Sequence, residues 1–149
     1  MPDHCKLAWL AGIIDGEGCF SIFRHCRGLD RAGQPYEHTS ASITITNSCA
    51  ALLDTSRSIL AGLGIKHTYL HPRNSDTRPL MRIQIRNYAS ILALLDAIDA
   101  YIVGKAEQAA LMRDFCERAG NRKGFSSPEE RAEYRARMSN LNKHGQLIP

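Results

Sequence analysis

The sequence lacks the features that would place this 149-residue chain in a membrane or outside a cell. No apolar run approaches the roughly 18 residues that a membrane-spanning helix needs. The first residues contain no basic region that leads into an apolar stretch, so no secretory signal is expected. We therefore expect a soluble, intracellular protein, and the sequence does not distinguish an organelle from a bacterial cytoplasm.

Cysteine is present, but in a pattern that does not suggest a structural metal site. The five cysteines are odd in number and widely spaced, and no C-x-x-C pair occurs, which argues against a zinc site and a disulfide framework. We expect all five to be reduced and most of them to be buried. The hydrophobic share of 44% suffices for a core, and the net charge of +4 is shared by nucleic-acid-binding proteins and many enzymes.

The spacing of apolar residues predicts the order αββαββα, followed by more helix. One face of the first helix, which Asp3 can cap, carries Leu7, Leu10, Ala11 and Ile14. Strands are predicted over 19–27, 38–47, 65–71 and 80–86, and helices over 50–63, 88–101, 104–119 and 127–140. Such a chain forms an α+β domain with an antiparallel sheet and helices on one face. We assign residues 1–122 to this domain and 123–149 to a C-terminal helical extension.

The predicted strands carry polar side chains on the face that the helices would leave open to solvent or a ligand. Hydroxyl, imidazole, amide and guanidinium groups dominate this face, with almost no carboxylate, and such groups can bond both phosphate oxygens and base edges. The predicted DNA-binding set is Ser21, Phe23, His25, Arg27, His38, Ser40, Ser42, Thr44, His67, Tyr69, His71, Arg73, Arg82, Gln84 and Arg86. An ordinary solvated sheet face is the alternative, and the sequence does not say which residues touch bases.

The end of the first helix combines features that suit a paired active site. Residues 9–18 read Trp-Leu-Ala-Gly-Ile-Ile-Asp-Gly-Glu-Gly, so small residues line the helix and glycines flank Glu17. If two such helices pack around a twofold axis, two Glu17 carboxylates meet, and divalent cations remove the repulsion between them. Ligation by oxygen atoms alone favours Mg²⁺, with Mn²⁺ able to substitute.

The segment Leu10 to Gly18, LAGIIDGEG, resembles the LAGLIDADG motif of homing endonucleases. It departs from the motif's name at Ile13, Gly16 and Glu17, and the glutamate keeps the carboxylate. The element order, the ITITN segment that ends the second strand and the GKAEQA segment of a later helix also resemble the single-motif branch, over residues 5–120. The resemblance implies a saddle-shaped antiparallel sheet, extra C-terminal helices and site-specific, metal-dependent cleavage of both strands of duplex DNA.

By this resemblance, Glu17 is the metal ligand, with the backbone carbonyl of Gly16 assisting. Asn47 falls where the family often positions the attacking water, and Lys105 falls where it has a basic residue near the scissile phosphate. Plain alternatives stay open, because Asn47 can be a turn residue and Lys105 a surface lysine. A further basic residue that the family sometimes has is missing from 48–51, and Arg57 is one possible substitute.

A single motif requires a partner chain to complete the site. Residues 60–65 read LAGLGI but carry no acidic residue at the needed offset. The sequence therefore predicts a homodimer on a pseudo-palindromic target, with Ala8, Ala11, Gly12 and Asp15 at the interface. For Asp15, a capping or packing role is favoured over metal ligation.

Other functions remain open at this point. The same fold without cleavage could serve as an intron RNA maturase or a DNA-binding regulator, and a metal-binding or structural dimer with no nucleic-acid role is a weaker reading. Homing genes often lie in introns, but the sequence does not say whether this one does. The basic residues of the last helix could clamp the DNA backbone or simply be solvated, and they are Arg131, Arg135, Arg137 and Lys143.

Overall fold

A computed structural model of the chain describes residues 3–71, 79–121, 124–125 and 127–144. Its elements follow the predicted order αββαββα and then add two helices. They are α1 His4–Glu17, β1 Gly18–Leu29, β2 Pro35–Asn47, α2 Ala50–Gly62, β3 Thr68–Leu70, β4 Met81–Ile85, α3 Tyr88–Ile98, α4 Ala106–Ala119 and α5 Pro128–His144. The α+β class is thereby confirmed.

Helix α1 forms as its apolar spacing predicts. The carboxylate of Asp3 accepts the backbone N–H of Cys5 at 2.9 Å, which caps the start of the helix. The four predicted core residues Leu7, Leu10, Ala11 and Ile14 are all buried. One side of α1 is therefore committed to the core of its own chain, and its other side is free of that role.

The four strands form one antiparallel sheet in the order β1-β2-β4-β3. Because side chains alternate along a strand, one face of the sheet holds the apolar residues that pack under the helices. That face consists of Phe20, Ile22, Ala41, Ile43, Ile45, Ile83 and Ile85, all buried. The long β1–β2 hairpin turns at Asp30, whose carboxylate accepts the N–H groups of Ala32 at 2.8 Å and Gln34 at 2.9 Å.

The third strand places Tyr69 on the opposite face of the sheet from the one predicted. The register pairs Tyr69 with Ile83, which places Tyr69 on the core side of the alternation, while His67 and His71 lie outside the strand. A tyrosine suits this half-buried position, since its ring packs while its hydroxyl donates to the sulfur of Met81 at 2.8 Å. Thr68 and Leu70 take the opposite face, beside Gln84 and Arg82. Arg73 lies outside the described residues.

Helix α5 packs on the domain and does not stand apart from it. Ser127 caps its start, because the Ser127 hydroxyl accepts the N–H of Glu130 at 3.3 Å. Tyr134 and Met138 are buried in the same core cluster as the sheet residues. The side-chain amide of Asn142 donates to the carbonyl of Phe20 on the edge strand β1 at 2.8 Å. The boundary at residue 122 stays a prediction.

The cysteines are free, as predicted, but their expected burial is wrong for four of the five. Only Cys116 is buried, whereas Cys5, Cys19, Cys26 and Cys49 are exposed. The exposed four lie in the first turn of α1, on the edge strand β1 and before α2, where the core does not reach. Burial raises the pKa of Cys116 to about 12, so this thiol stays protonated near neutral pH. Within the described ranges, no helix is long and apolar enough to cross a membrane.

Candidate active site at the end of the first helix

Helix α1 ends at an exposed carboxylate and turns directly into a strand. Glu17 is the last helical residue and is exposed, and Gly18 already has the extended φ of −82° and ψ of 154°. A Cβ atom built on Gly18 would lie 2.5 Å from the carbonyl oxygen of Ile14 and 2.9 Å from its Cα atom. The junction therefore requires glycine at position 18, because the new strand leaves against the helix backbone.

Lys105 brings a positive charge to this helix end from a distant part of the chain. Its ammonium group donates to the carbonyl of Ile14 at 3.3 Å and also to that of Asp15. The last carbonyls of a helix lack helical partners and carry partial negative charge, and α1 has no basic residue in its own last turn. Lys105 supplies this missing charge and is half-buried, so it is not a plain surface lysine.

Asp15 holds the loop that carries Lys105. Its two carboxylate oxygens accept the backbone N–H of Val103 at 2.8 Å and that of Lys105 at 3.0 Å. This is the packing role that the sequence favoured over metal ligation. The place of Asp15 at an interface stays a prediction, and its two carboxylate oxygens are engaged within its own chain.

Asn47 lies at the same end of the sheet but has a local role. The register pairs Gly18 with Ile45, so Asn47 stands two residues beyond the start of β1, next to the helix–strand junction. Its side-chain oxygen accepts the N–H of Cys49 at 2.8 Å, which closes a turn before α2. The turn function that the sequence left open is thus present, and it leaves the amide nitrogen for a second role.

Arg57, considered as a substitute basic residue, is engaged elsewhere. Its guanidinium lies over the ring of Tyr69, 4.3 Å from the centroid, and within 3.9 Å of the Asp54 carboxylate. These contacts tie α2 to β3. The structure therefore gives Arg57 a packing function.

The described residues of the chain contain no cluster of metal-ligating side chains. Among the residues that the structure describes, no group of three or more His, Cys, Asp or Glu side chains could hold a metal ion. Of the two motif acids, Asp15 bonds to the loop and Glu17 alone stays exposed. The donor atoms at this helix end are carboxylate and carbonyl oxygens, the ligand type that hard divalent cations prefer.

The exposed side of α1 is lined by small residues. Ala8, Gly12 and Gly16 recur every fourth residue and are exposed, and a Cβ atom on either glycine would meet nothing within 4 Å. Trp9 beside them is 38% exposed. Ala11, also predicted at the interface, is fully buried in its own core, because its position matches the face of Leu7 and Ile14. A partner helix could contact the other small residues but not Ala11.

The predicted polar residues of β1, β2 and β4 do share one face of the sheet. They pair across the strands as Ser21 with Ser42, Phe23 with Ser40, His25 with His38, and Thr44 with Gln84. This face lies opposite the buried one, and Arg82 follows the same alternation. Thr68 and Leu70 also lie on this face, although the sequence did not predict them there. Only the register of the short strand β3 reveals their position.

Aromatic and basic groups form a row along this face. The ring of His25 lies 5.7 Å from that of Phe23 and 5.4 Å from that of His38, and the Arg86 guanidinium lies 5.6 Å from the Phe23 centroid. Two smaller residues of this face, Ser40 and Ser42, are buried. The side chain of Arg27 is not among those described.

The basic residues of α5 are mostly used in packing. Arg135 donates to the hydroxyl of Thr39 at 2.7 Å. Arg131 lies over the ring of Phe125 and Arg137 over that of Tyr134, at 5.7 and 6.0 Å from the centroids. Lys143 is exposed. Arg135 and Arg131 thus contact residues outside α5, whereas Arg137 packs on a tyrosine of α5 itself.

Several solved structures with the same fold are homing endonucleases or meganucleases in complex with DNA. I-CvuI in complex with its target in the presence of calcium superposes with a TM-score of 0.73 at 22% identity, over 93% of this chain and 82% of that chain. The archaeal intron-encoded I-Vdi141I in complex with DNA gives 0.63 at 16% identity, over 95% and 82%. The meganuclease I-SmaMI, bound to uncleavable DNA, gives 0.67 at 22% identity, over 96% of this chain but 45% of that chain.

These similarities place the chain in the structural class of homing endonucleases, with an open four-stranded antiparallel sheet and helices. The sequence profile of the LAGLIDADG-like domain matches residues 4–99. The chain therefore belongs to the LAGLIDADG family, as its motif indicated. No curated protein gives a significant match.

The helix–strand junction yields a prediction about stability. Gly18→Ala should lower the free energy of unfolding by about 1–3 kcal/mol, since the new methyl group overlaps the backbone of Ile14. Gly62→Ala is the matched control, because a Cβ atom there meets nothing within 4 Å and alanine is favoured over glycine in helices by about 0.5–1 kcal/mol. Urea denaturation measures both. A Gly18→Ala protein as stable as its parent would contradict the described junction.

Proposed function

We propose that the chain is a site-specific DNA endonuclease that works as a homodimer and hydrolyses both strands of duplex DNA with Mg²⁺ or Mn²⁺. The observation that carries this proposal is the end of α1, which ends at an exposed Glu17 and whose carbonyls of Ile14 and Asp15 hold the ammonium group of Lys105. One chain supplies one free carboxylate at this point, so the active site is complete only when two such ends meet.

The exposed side of α1 supports pairing with a second copy. The open positions at Gly12 and Gly16 let another helix backbone approach closely. Two of the exposed large hydrophobic residues border this side, Trp9 on the helix and Val103, 82% exposed, next to Asp15. The comparison with I-SmaMI agrees with such pairing, because this chain covers only 45% of the I-SmaMI chain, which is therefore long enough for two domains of this size.

Pairing about a twofold axis would bring the two Glu17 carboxylates together near the backbone carbonyls of Gly16. The two carboxylates would repel each other, and a divalent cation bound between them would remove this repulsion. Carboxylate and carbonyl oxygens are ligands that suit Mg²⁺ or Mn²⁺. Bound there, the ions would supply hydroxide at neutral pH and stabilise charge on the leaving oxygen. The structures of I-CvuI are described with magnesium or calcium, which agrees with a divalent ion in this fold.

Lys105 and Asn47 act on either side of the phosphate in this proposal. The ammonium of Lys105 has three N–H bonds, of which two are directed at the carbonyls of Ile14 and Asp15. The third can donate to a phosphate oxygen and stabilise the negative charge that develops during cleavage. The amide nitrogen of Asn47 can orient the attacking water while its oxygen keeps the turn with Cys49.

The polar face of the sheet would hold the DNA. A twisted antiparallel ribbon fits the major groove, where imidazole, amide and guanidinium groups reach base edges. Phe23 joins two other members of this face, because its ring lies next to the ring of His25 on the same strand and under the guanidinium of Arg86. A dimer would carry twice the +4 charge of one chain, which favours association with the phosphate backbone.

The cleavage prediction concerns Glu17. Purified protein incubated with a randomised DNA library and Mg²⁺ should produce double-strand breaks at one class of pseudo-palindromic sites. Glu17→Gln should bind that site in Ca²⁺ with unchanged affinity but cut at least about 10³-fold more slowly, since a metal ligand contributes several kcal/mol to the transition state. Glu133→Gln, a change of an exposed helical glutamate on α5, is the control and should cut normally.

Two outcomes would reject the proposal. The absence of cutting with any divalent ion would remove the endonuclease function, and selective binding of folded intron RNA would then favour the maturase alternative. Normal cutting by Glu17→Gln would place the catalytic carboxylate elsewhere.

The dimer prediction concerns Gly12. Gly12→Leu should weaken self-association by about ten- to a hundredfold, because overpacking a close interface costs about 1–3 kcal/mol. The monomer fold should survive, since the position is open in a single chain. Gly62→Leu, on α2, controls for a large side chain at an open helical glycine. Sedimentation velocity measures association, and a parent protein that stays monomeric both free and on DNA would refute the pairing.

A further inference from the structure

Asp15 is the one motif acid without a role in the proposed chemistry, yet its contacts are the most specific at the site. It lies on the last turn of α1, and its carboxylate reaches a loop some ninety residues later in the sequence. The two N–H groups it accepts belong to Val103 and Lys105, on either side of Gly104. Such a pair of charge-assisted bonds fixes both the position and the direction of a short loop segment.

The bonded segment ends at the lysine of the site. Lys105 donates its backbone N–H to the Asp15 side chain and its ammonium to the Asp15 backbone carbonyl. The two contacts hold the start and the tip of the lysine side chain against one turn of α1. A side chain with this many rotatable bonds would otherwise sample many positions, and ordering it in advance removes that cost from the reaction.

We propose that Asp15 is a positioning residue that acts through Lys105, keeping its ammonium group at the last turn of α1, which ends at Glu17, before DNA binds. This inference rests on the proposed nuclease function, but the loop contact itself is independent of it. Asp15 does not touch the phosphate or the metal in this role. In this role Asp15 is needed for the rate of cleavage, whereas Glu17, the other acid of the motif, binds the metal.

Asparagine is the sharpest substitution for testing this role. Asp15→Asn keeps the shape of the side chain but replaces one acceptor by an NH₂ group. One of the two loop N–H groups then loses its partner and faces another donor. Amide hydrogen exchange at Val103 and Lys105 should accelerate by about ten- to a hundredfold, with unchanged exchange in the helices on either side.

The kinetic test uses a double-mutant cycle with Lys105→Met. Under single-turnover conditions, Lys105→Met should slow cleavage by about 10²-fold, and Asp15→Asn should approach the same loss with unchanged DNA affinity in Ca²⁺. Since Asp15 acts only through Lys105, the double variant should be no slower than Lys105→Met alone. Asp96→Asn, which removes a carboxylate charge paired with Arg113, is the control for a structural acid and should leave the rate unchanged.

Each remaining outcome overturns the proposal. Multiplying losses in the double variant would mean that Asp15 acts independently of Lys105, and rescue of Asp15→Asn by higher Mg²⁺ would make it a metal ligand. Faster exchange with a normal cleavage rate would leave the contact purely structural. If the parent protein cuts no DNA, the proposed function fails, while the exchange measurement still decides whether Asp15 holds the loop.

Discussion

The structure of the site depends on one contact, the bonding of the 103–105 loop to the last turn of α1. The helix end needs a positive charge that its own sequence does not contain, and the loop brings Lys105 to that end. Asp15 in turn accepts the loop's backbone N–H groups, so each segment both donates and accepts hydrogen bonds in this contact. Through this contact, residues about ninety positions apart are held together at the last turn of α1.

The glycines of the motif serve different physical needs. Gly18 is required by its own chain, because any Cβ atom there would collide with the helix backbone. Gly12 and Gly16 meet no such constraint, as the space around them is open in a single chain. Helical glycines that no intrachain contact requires carry a cost in stability, and a close partner helix is a reason for keeping them. The same short segment thus encodes a turn and, in the proposed dimer, a surface for association.

Much of the fold could be predicted from local patterns, because periodicity and caps depend on neighbouring residues alone. The core face of α1, the cap at Asp3 and the alternation of β2 were all predictable in this way. The place of Lys105 at the end of α1 could not be derived from spacing, because the two segments are about ninety residues apart. The face of β3 was misread because a three-residue strand has too little alternation to define its phase, and Tyr69 can be half-buried with its hydroxyl bonded. Ala11 was placed at an interface because a helix pattern does not show which small residues its own chain already buries.

The central claim is that two copies of the α1 end form one metal site on DNA. The most direct measurement is the anomalous scattering of Mn²⁺ in crystals of the protein bound to its cleavage site. The account predicts manganese coordinated by Glu17 of both chains, with the two helices in contact along Gly12 and Gly16. Manganese bound away from Glu17, or the two Glu17 carboxylates too far apart to share a site, would contradict it.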